Sequence, residues 1–170
     1  NCKIIAAGLI SDQEISTIDE LISTIPLSSK VLPALDLIKP TPAQKILIEK
    51  PDALQSAIRI GKLIGNKTHP DYIDLIVLNT LLGGYFGSRL MANIREDKGY
   101  TYGIGSGIAS TLDTGFFYIA TEVGADVCEA ALKEIYFEIE KLKTTLVPES
   151  ELDLVKNYLL GSYLGSIENV

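Results

Sequence analysis

Tryptophan is absent from this 170-residue sequence, histidine and methionine occur once each, and cysteine occurs twice. The solitary imidazole, His69, excludes a multi-histidine metal centre within the chain, and any triad-type nucleophile would have to recruit it. Cys2 and Cys128 are too far apart in sequence for a metal-type pair, and two cysteines make no disulfide framework. Basic residues are in deficit, 15 Lys and Arg against 22 Asp and Glu for a formal charge of −7, with no basic cluster. A nucleic-acid partner is therefore not expected, because phosphate binding needs a Lys/Arg stripe. No uncharged apolar run approaches the roughly 18 residues that span a bilayer, so membrane association is not expected either, and no signal-peptide pattern opens the chain. Apolar residues make up 46% of the sequence, enough for a core in one domain, or in one domain plus part of another.

The sequence opens on Asn1-Cys2-Lys3 without Met and stops at Ile167-Glu168-Asn169-Val170 inside a helical pattern, so it reads as a piece of something longer. The apolar run Lys3 to Ile10 predicts a strand. Ser11 and Asp12 then offer an N-cap for a helix to about Ile25, with Ile15, Ile18, Leu21 and Ile22 at three- and four-residue intervals. Pro26, Pro33, Pro40 and Pro42 interrupt a stretch without a sustained period. The expected organisation is thus a strand–helix end of a preceding domain at 1–29, a linker at 30–44, and a further domain at 45–170.

Within that last segment, Ile46-Leu47-Ile48 and Ile58 to Ile64 predict a pair of neighbouring strands. His69 precedes Pro70, which opens a helix to about Leu82, Pro being harmless at an early helical position. Gly83-Gly84 should end it with a turn in which glycine supplies positive φ. A second helix, from Gly87 or Ser88 to Asp97, is closed by Gly99 in a left-handed conformation. Strands over Thr101–Ser110 and Phe116–Val123 form a hairpin around Leu112-Asp113-Thr114-Gly115. Helices follow over Ala125–Thr144, with Val127, Ala131, Ile135, Ile139 and Leu142 on one stripe, and after Pro148, with Leu152, Val155 and Leu159 inward. The order predicts an α+β fold, a mostly antiparallel sheet with helices packed on one face.

Few residues here suggest chemistry. The run Gly83 to Ser88 follows a helix and supplies no Lys, unlike a phosphate-cradling loop. Gly103, Gly105 and Gly107 fall at period two, a pattern that suits close packing against a strand. His69 suits capping. The dense patch is Ser88 to Tyr102, where a helix end meets a strand start. It brings together Arg95 and Tyr102, whose guanidinium and phenol can both direct donors at a carbonyl oxygen or carboxylate. The residues alone favour the other reading, in which Arg95 pairs with a neighbouring Glu or caps the helix while Tyr102 fills the core edge. Strict alternation puts Tyr102 on the face of Ile104 and Ile108; otherwise it lies before regular pleating begins.

The segment Leu81-Leu82-Gly83-Gly84-Tyr85-Phe86-Gly87-Ser88-Arg89-Leu90, with Ile94-Arg95-Glu96-Asp97-Lys98-Gly99-Tyr100-Thr101-Tyr102, resembles the signature of the insulinase/pitrilysin/mitochondrial processing peptidase family. Asp113-Thr114-Gly115, Glu151-Leu152 and Lys156 extend the resemblance over nearly the whole chain. It implies the α+β fold of the family's metallohydrolase halves, two of which close around a peptide. One half carries zinc on an inverted H-x-x-E-H motif, whose Glu activates water; this sequence has no such motif. The resemblance is to the zinc-free half, whose Arg and Tyr map onto Arg95 and Tyr102, with Gly83 and Gly84 in a loop that aids substrate recognition in some non-catalytic subunits. The expectation is a substrate-binding half of a zinc metallopeptidase, inactive alone, with no cofactor of its own and zinc in the partner half. The alternative is a catalytically inactive structural or interaction subunit. An exposed apolar inner face also allows a homo-oligomer.

Overall fold

A computed structural model describes residues 4–26 and 41–168. The chain divides into two compact units, Asn1–Asp36 and Leu37–Val170. In the first, helix α1 spans Asp12–Ser23. Its start is a capping box: the Glu14 carboxylate accepts from the Ser11 backbone N–H at 2.7 Å and from the Ser11 hydroxyl at 2.9 Å. These bonds favour the ionised carboxylate and hold Glu14 below the ordinary carboxylate range. Residues 4–10, expected as a strand, carry no regular structure, and Ile5 and Leu9 are exposed. A strand exists only as part of a ladder, and no described residue pairs with this one. Cys2 and most of the expected linker lie outside the described residues; 41–50 have no regular structure.

The second unit is built on strands β1 (Gln55–Ile64), β2 (Ile104–Ser110) and β3 (Gly115–Gly124), in the spatial order β1-β3-β2 and antiparallel throughout. The hairpin β2–β3 forms where it was expected. The partner of β1 does not: Ile46-Leu47-Ile48 is exposed and unpaired, and β1 instead runs beside β3 over ten residues, with Ile58 opposite Thr121 and Ile60 opposite Ile119. A ten-residue ladder satisfies far more backbone than a three-residue one, and both strands share the same alternation.

Alternation sorts the two faces. Ile119, Thr121 and Val123 are buried, with Ile58 and Ile104 beside them, while Phe116, Tyr118 and Glu122 point to the open side. There Arg59 pairs with Glu122 across the strands. On the covered side lie α2 (Tyr72–Asn79), continued by one π-helical segment, π1 (Thr80–Gly84), and a second, π2 (Met91–Asp97). Helix α3 (Cys128–Thr144) follows a short 3-10 turn, and α4 (Glu149–Glu168) follows Pro148. The core joins Leu82, Leu90, Met91 and Ile94 from the helical segments with Ile104, Ile119 and Val123 from the sheet and Ala131 and Ile135 from α3. This is a mixed α and β domain with a small antiparallel sheet and helices against it. The stripe expected on α3 faces inward, and Val155 of α4 is fully buried. Among the described residues no helix is long and apolar enough to cross a membrane.

Candidate functional site

The turn expected to end the first helix is instead a widened helical segment. Neither Gly83 nor Gly84 has positive φ; among the described residues only Gly8 and Gly99 do. What Gly83 supplies is absence of bulk. A Cβ there would lie 2.6 Å from Ser106 Oγ and 2.8 Å from Ser106 N, so π1 can press on β2 only through a glycine. The Ser106 hydroxyl donates to the Asn79 carbonyl at 3.2 Å and fastens the same contact. On the open face, Gly107 leaves room for the Tyr118 ring, which a Cβ would meet at 2.6 Å.

Two consecutive aromatics leave this segment in different directions. Tyr85 packs on Tyr158 of α4, ring centroids 4.9 Å apart, and Phe86 lies under the Arg95 guanidinium, 4.8 Å from carbon to ring centroid. Arg89 then reaches α4 as well, its Nε and Nη2 donating to the two oxygens of Glu151 at 2.8 and 2.7 Å. This fork holds the Glu151 carboxyl below the ordinary carboxylate range and raises Arg89 above the usual guanidinium value. On the next turn Asn93 donates to Glu134 at 3.1 Å and to the buried Glu138 at 2.8 Å, tying π2 to α3.

Arg95 sits in the last turn of π2. Its Nη1 donates to Glu96 at 2.6 Å, the neighbouring-Glu pairing considered above, while its flat face rests on Phe86. The helix then ends as expected. Gly99 has φ 66° and its N–H donates to the Arg95 carbonyl at 3.2 Å, the single bond of an αL closure, while the Tyr100 N–H donates to the Ile94 carbonyl at 3.0 Å, six residues back as the widened helix requires. Beyond the bend, the Thr101 hydroxyl lies 2.7 Å from the Glu122 carbonyl oxygen and accepts from the Gly103 N–H at 3.1 Å. Regular pleating starts only at Ile104. Tyr102 therefore precedes the strand, is 96% exposed, and forms no hydrogen bond or ring contact among the described residues; it does not fill a core edge.

Sequence reasoning singled out Arg95 and Tyr102 and considered a neighbouring Glu for Arg95, but missed Phe86, which carried no signal beyond being aromatic. His69 caps as expected: its Nδ1 accepts from the Asp71 N–H at 3.2 Å. Cys128 packs against the core. Among the described residues no three His, Cys, Asp or Glu side chains are grouped to hold a metal ion. With one His in the chain, a zinc centre does not fit these residues.

The architecture is a mixed α and β domain, a small antiparallel sheet with helices against it, and among the described residues it groups no side chains that could hold a metal ion. Residues 1–159 match the family described as the peptidase M16 inactive domain, and the chain belongs to that family. Among curated relatives, it is 31% identical over 166 residues to the uncharacterized zinc protease YmxG of Bacillus subtilis (strain 168), covering 98% of this chain and 40% of that protein. It is 35% identical over 94 residues to an uncharacterized zinc protease of Rickettsia felis, covering 55% of this chain and 23% of that protein. The chain thus spans less than half the length of both relatives. Among solved structures, the peptidase M16 inactive domain from Pseudomonas fluorescens superposes with a TM-score of 0.61 at 32% identity, over 65% of this chain and 27% of that one. A protease from Helicobacter pylori shares the fold with a TM-score of 0.73 at 21% identity, over 94% of this chain and 40% of that one.

Proposed function

We propose that this chain is the substrate-holding half of a zinc metallopeptidase, with peptide as ligand and a zinc-bearing half of the same family as partner. In this reading Arg95 and Tyr102 face the bound peptide, Gly83 and Gly84 form the adjoining wall, and the chain alone neither holds zinc nor cleaves. The division into an end of a preceding domain at 1–29, a linker at 30–44 and this domain at 45–170 belongs to the same proposal.

One observation carries it. Tyr102 is a nearly fully exposed aromatic without a partner among the described residues, yet it stands on backbone fastened by the Gly99 closure and the Thr101 hydroxyl. A phenol held out on anchored chain is arranged to meet something outside the domain. Seven positions earlier, the Arg95 guanidinium is oriented by Phe86 and Glu96. Neutralised on one edge by Glu96, it retains its remaining N–H groups for a neutral acceptor, such as a peptide carbonyl oxygen. Donors fixed before the substrate arrives are worth most when charge develops on that oxygen.

The test uses the full-length protein together with its zinc-bearing half. Arg95→Ala or Tyr102→Phe is expected to lower turnover by about 10²–10³ while zinc content and melting temperature stay unchanged. Wild-type turnover in both variants would return the pair to a structural role, and stoichiometric zinc in this chain alone would overturn the division of labour.

A further inference from the structure

The helix side of the sheet is not covered throughout. Between α2 and the last turns of α3 lies a groove of about 300 Å³, lined by Ile64, Ile108 and Phe117 of the sheet, Leu78 of α2 and Leu142 of α3. Leu75 and Leu82 extend its wall, and seven residues of helix rise about 10 Å, so the apolar border is elongated. The charged residues of the lining are Lys62 and Lys143, and no carboxylate is among them. Lys62 has an unexpected place. It alternates with Ile58, Ile60 and Ile64 on the helix side of β1 and stands opposite Phe117 of β3, yet it forms no ion pair among the described residues. Lys143 lies in the last turn of α3 and pairs with Glu140 at 3.0 Å, both side chains being exposed.

We propose that this groove binds a fatty acid, its acyl chain lying between α2 and α3 over the sheet and its carboxylate at Lys62 and Lys143. The occupant follows from the two kinds of surface that meet here. An elongated apolar channel is matched by an unbranched hydrocarbon chain, which gains from leaving water and needs no hydrogen-bond partner. Two ammonium groups with no carboxylate in the lining select an anionic head over a neutral or cationic one. A lysine stem can lie along apolar surface while its ammonium stays in water, so the head is met at the mouth and is not buried. The volume is at the small end of ligand sites, room for one chain and not for a two-chain lipid. The proposal does not depend on the substrate-holding reading, because neither Arg95 nor Tyr102 lines this groove.

The experiment is titration calorimetry of the full-length protein with hexanoate, octanoate, decanoate and dodecanoate, each kept below micelle-forming concentration. Affinity is expected to rise about fourfold for each methylene buried and to level off once the groove is filled. Dodecanoate should bind about two- to fivefold more tightly than dodecanol at low salt, and Lys62→Met, which keeps an apolar stem, should erase that preference. Leu78 is 46% exposed, so Leu78→Trp can fill the groove from a surface position; it is expected to weaken dodecanoate by about tenfold or more with little change in melting temperature. Absence of binding overturns the proposal and leaves the groove to another segment of the protein or to a second copy. Binding that both variants leave unchanged places the fatty acid elsewhere and overturns it as well. Equal affinity for dodecanoate and dodecanol in the parent overturns the role of the two lysines.

Discussion

The guanidinium carbon of Arg95 stands 4.8 Å above the ring centroid of Phe86, two side chains nine positions apart across a helix start. The contact gives an exposed phenylalanine a reason to be there. It also removes rotamer freedom from an arginine that would otherwise sweep a wide volume.

Phe86→Ala should therefore act through Arg95. An exposed cation–π contact contributes about 0.5–1 kcal/mol, so turnover in the proposed assembly with a zinc-bearing half is expected to fall by about two- to fivefold with little change in melting temperature. Phe86→Tyr, which keeps the ring, should restore the rate. Equal rates for all three proteins would show that the ring does not position Arg95.

The Arg89–Glu151 fork joins the start of π2 to the start of α4 and is mostly shielded from solvent, with side-chain exposures of 11% and 28%. Glu151→Gln should cost on the order of 1–2 kcal/mol of stability, less than a fully buried pair because water still reaches the carboxylate. The pH dependence has a definite sign. Glu151 has a folded-state pKa below its unfolded value, so its contribution is present above about pH 4.3 and is lost as pH falls through the folded value. Denaturation at pH 7 and at pH 3 should show the variant and the parent converging at the lower pH. A constant gap across that range would contradict the assignment.

Gly83→Ala places a methyl against the Ser106 backbone nitrogen, which cannot rotate away, and is expected to destabilise the domain by about 1–3 kcal/mol. Gly103→Ala is the control, since its Cβ enters open space. Thermal unfolding of both variants decides the matter: similar melting temperatures would mean that π1 does not depend on that close approach.

At Gly99 the constraint is the backbone. Gly99→Ala forces a left-handed conformation on a residue with a Cβ and should cost about 1 kcal/mol, whereas Gly99→Asn should cost less. Because this closure sets the direction in which Tyr102 leaves the helix, the alanine variant is also expected to lose turnover beyond its loss of stability. Chemical denaturation alongside steady-state rates separates the two effects.

What the sequence made legible was local. The left-handed glycine at 99, the capping serine at 11 and the apolar stripe of α3 depend on neighbours within a few positions, and each was found where the spacing predicted it. Pairing is different. Ile46-Leu47-Ile48 has the composition of a strand, but composition says nothing about which ladder β1 will join, and β3 offered it more bonds. Tyr102 shows the same limit at the site. Its place before the pleat depends on Thr101 reaching the Glu122 carbonyl, twenty-one positions away, which no alternation rule includes. The family motif pointed to Arg95 as a donor but not to Phe86, because the ring's role appears only when the helix start folds back over it.

The neighbouring rings of Tyr85 and Phe86 have a mechanical consequence. Adjacent Cα atoms are held about 3.8 Å apart by a planar peptide, and here one ring is lodged against α4 and the next against Arg95. The Arg89 fork gives the same two elements a second attachment. Turning α4 against this segment would have to break the Tyr85–Tyr158 contact and the Arg89–Glu151 fork together, one residue before and three residues after the phenylalanine under Arg95.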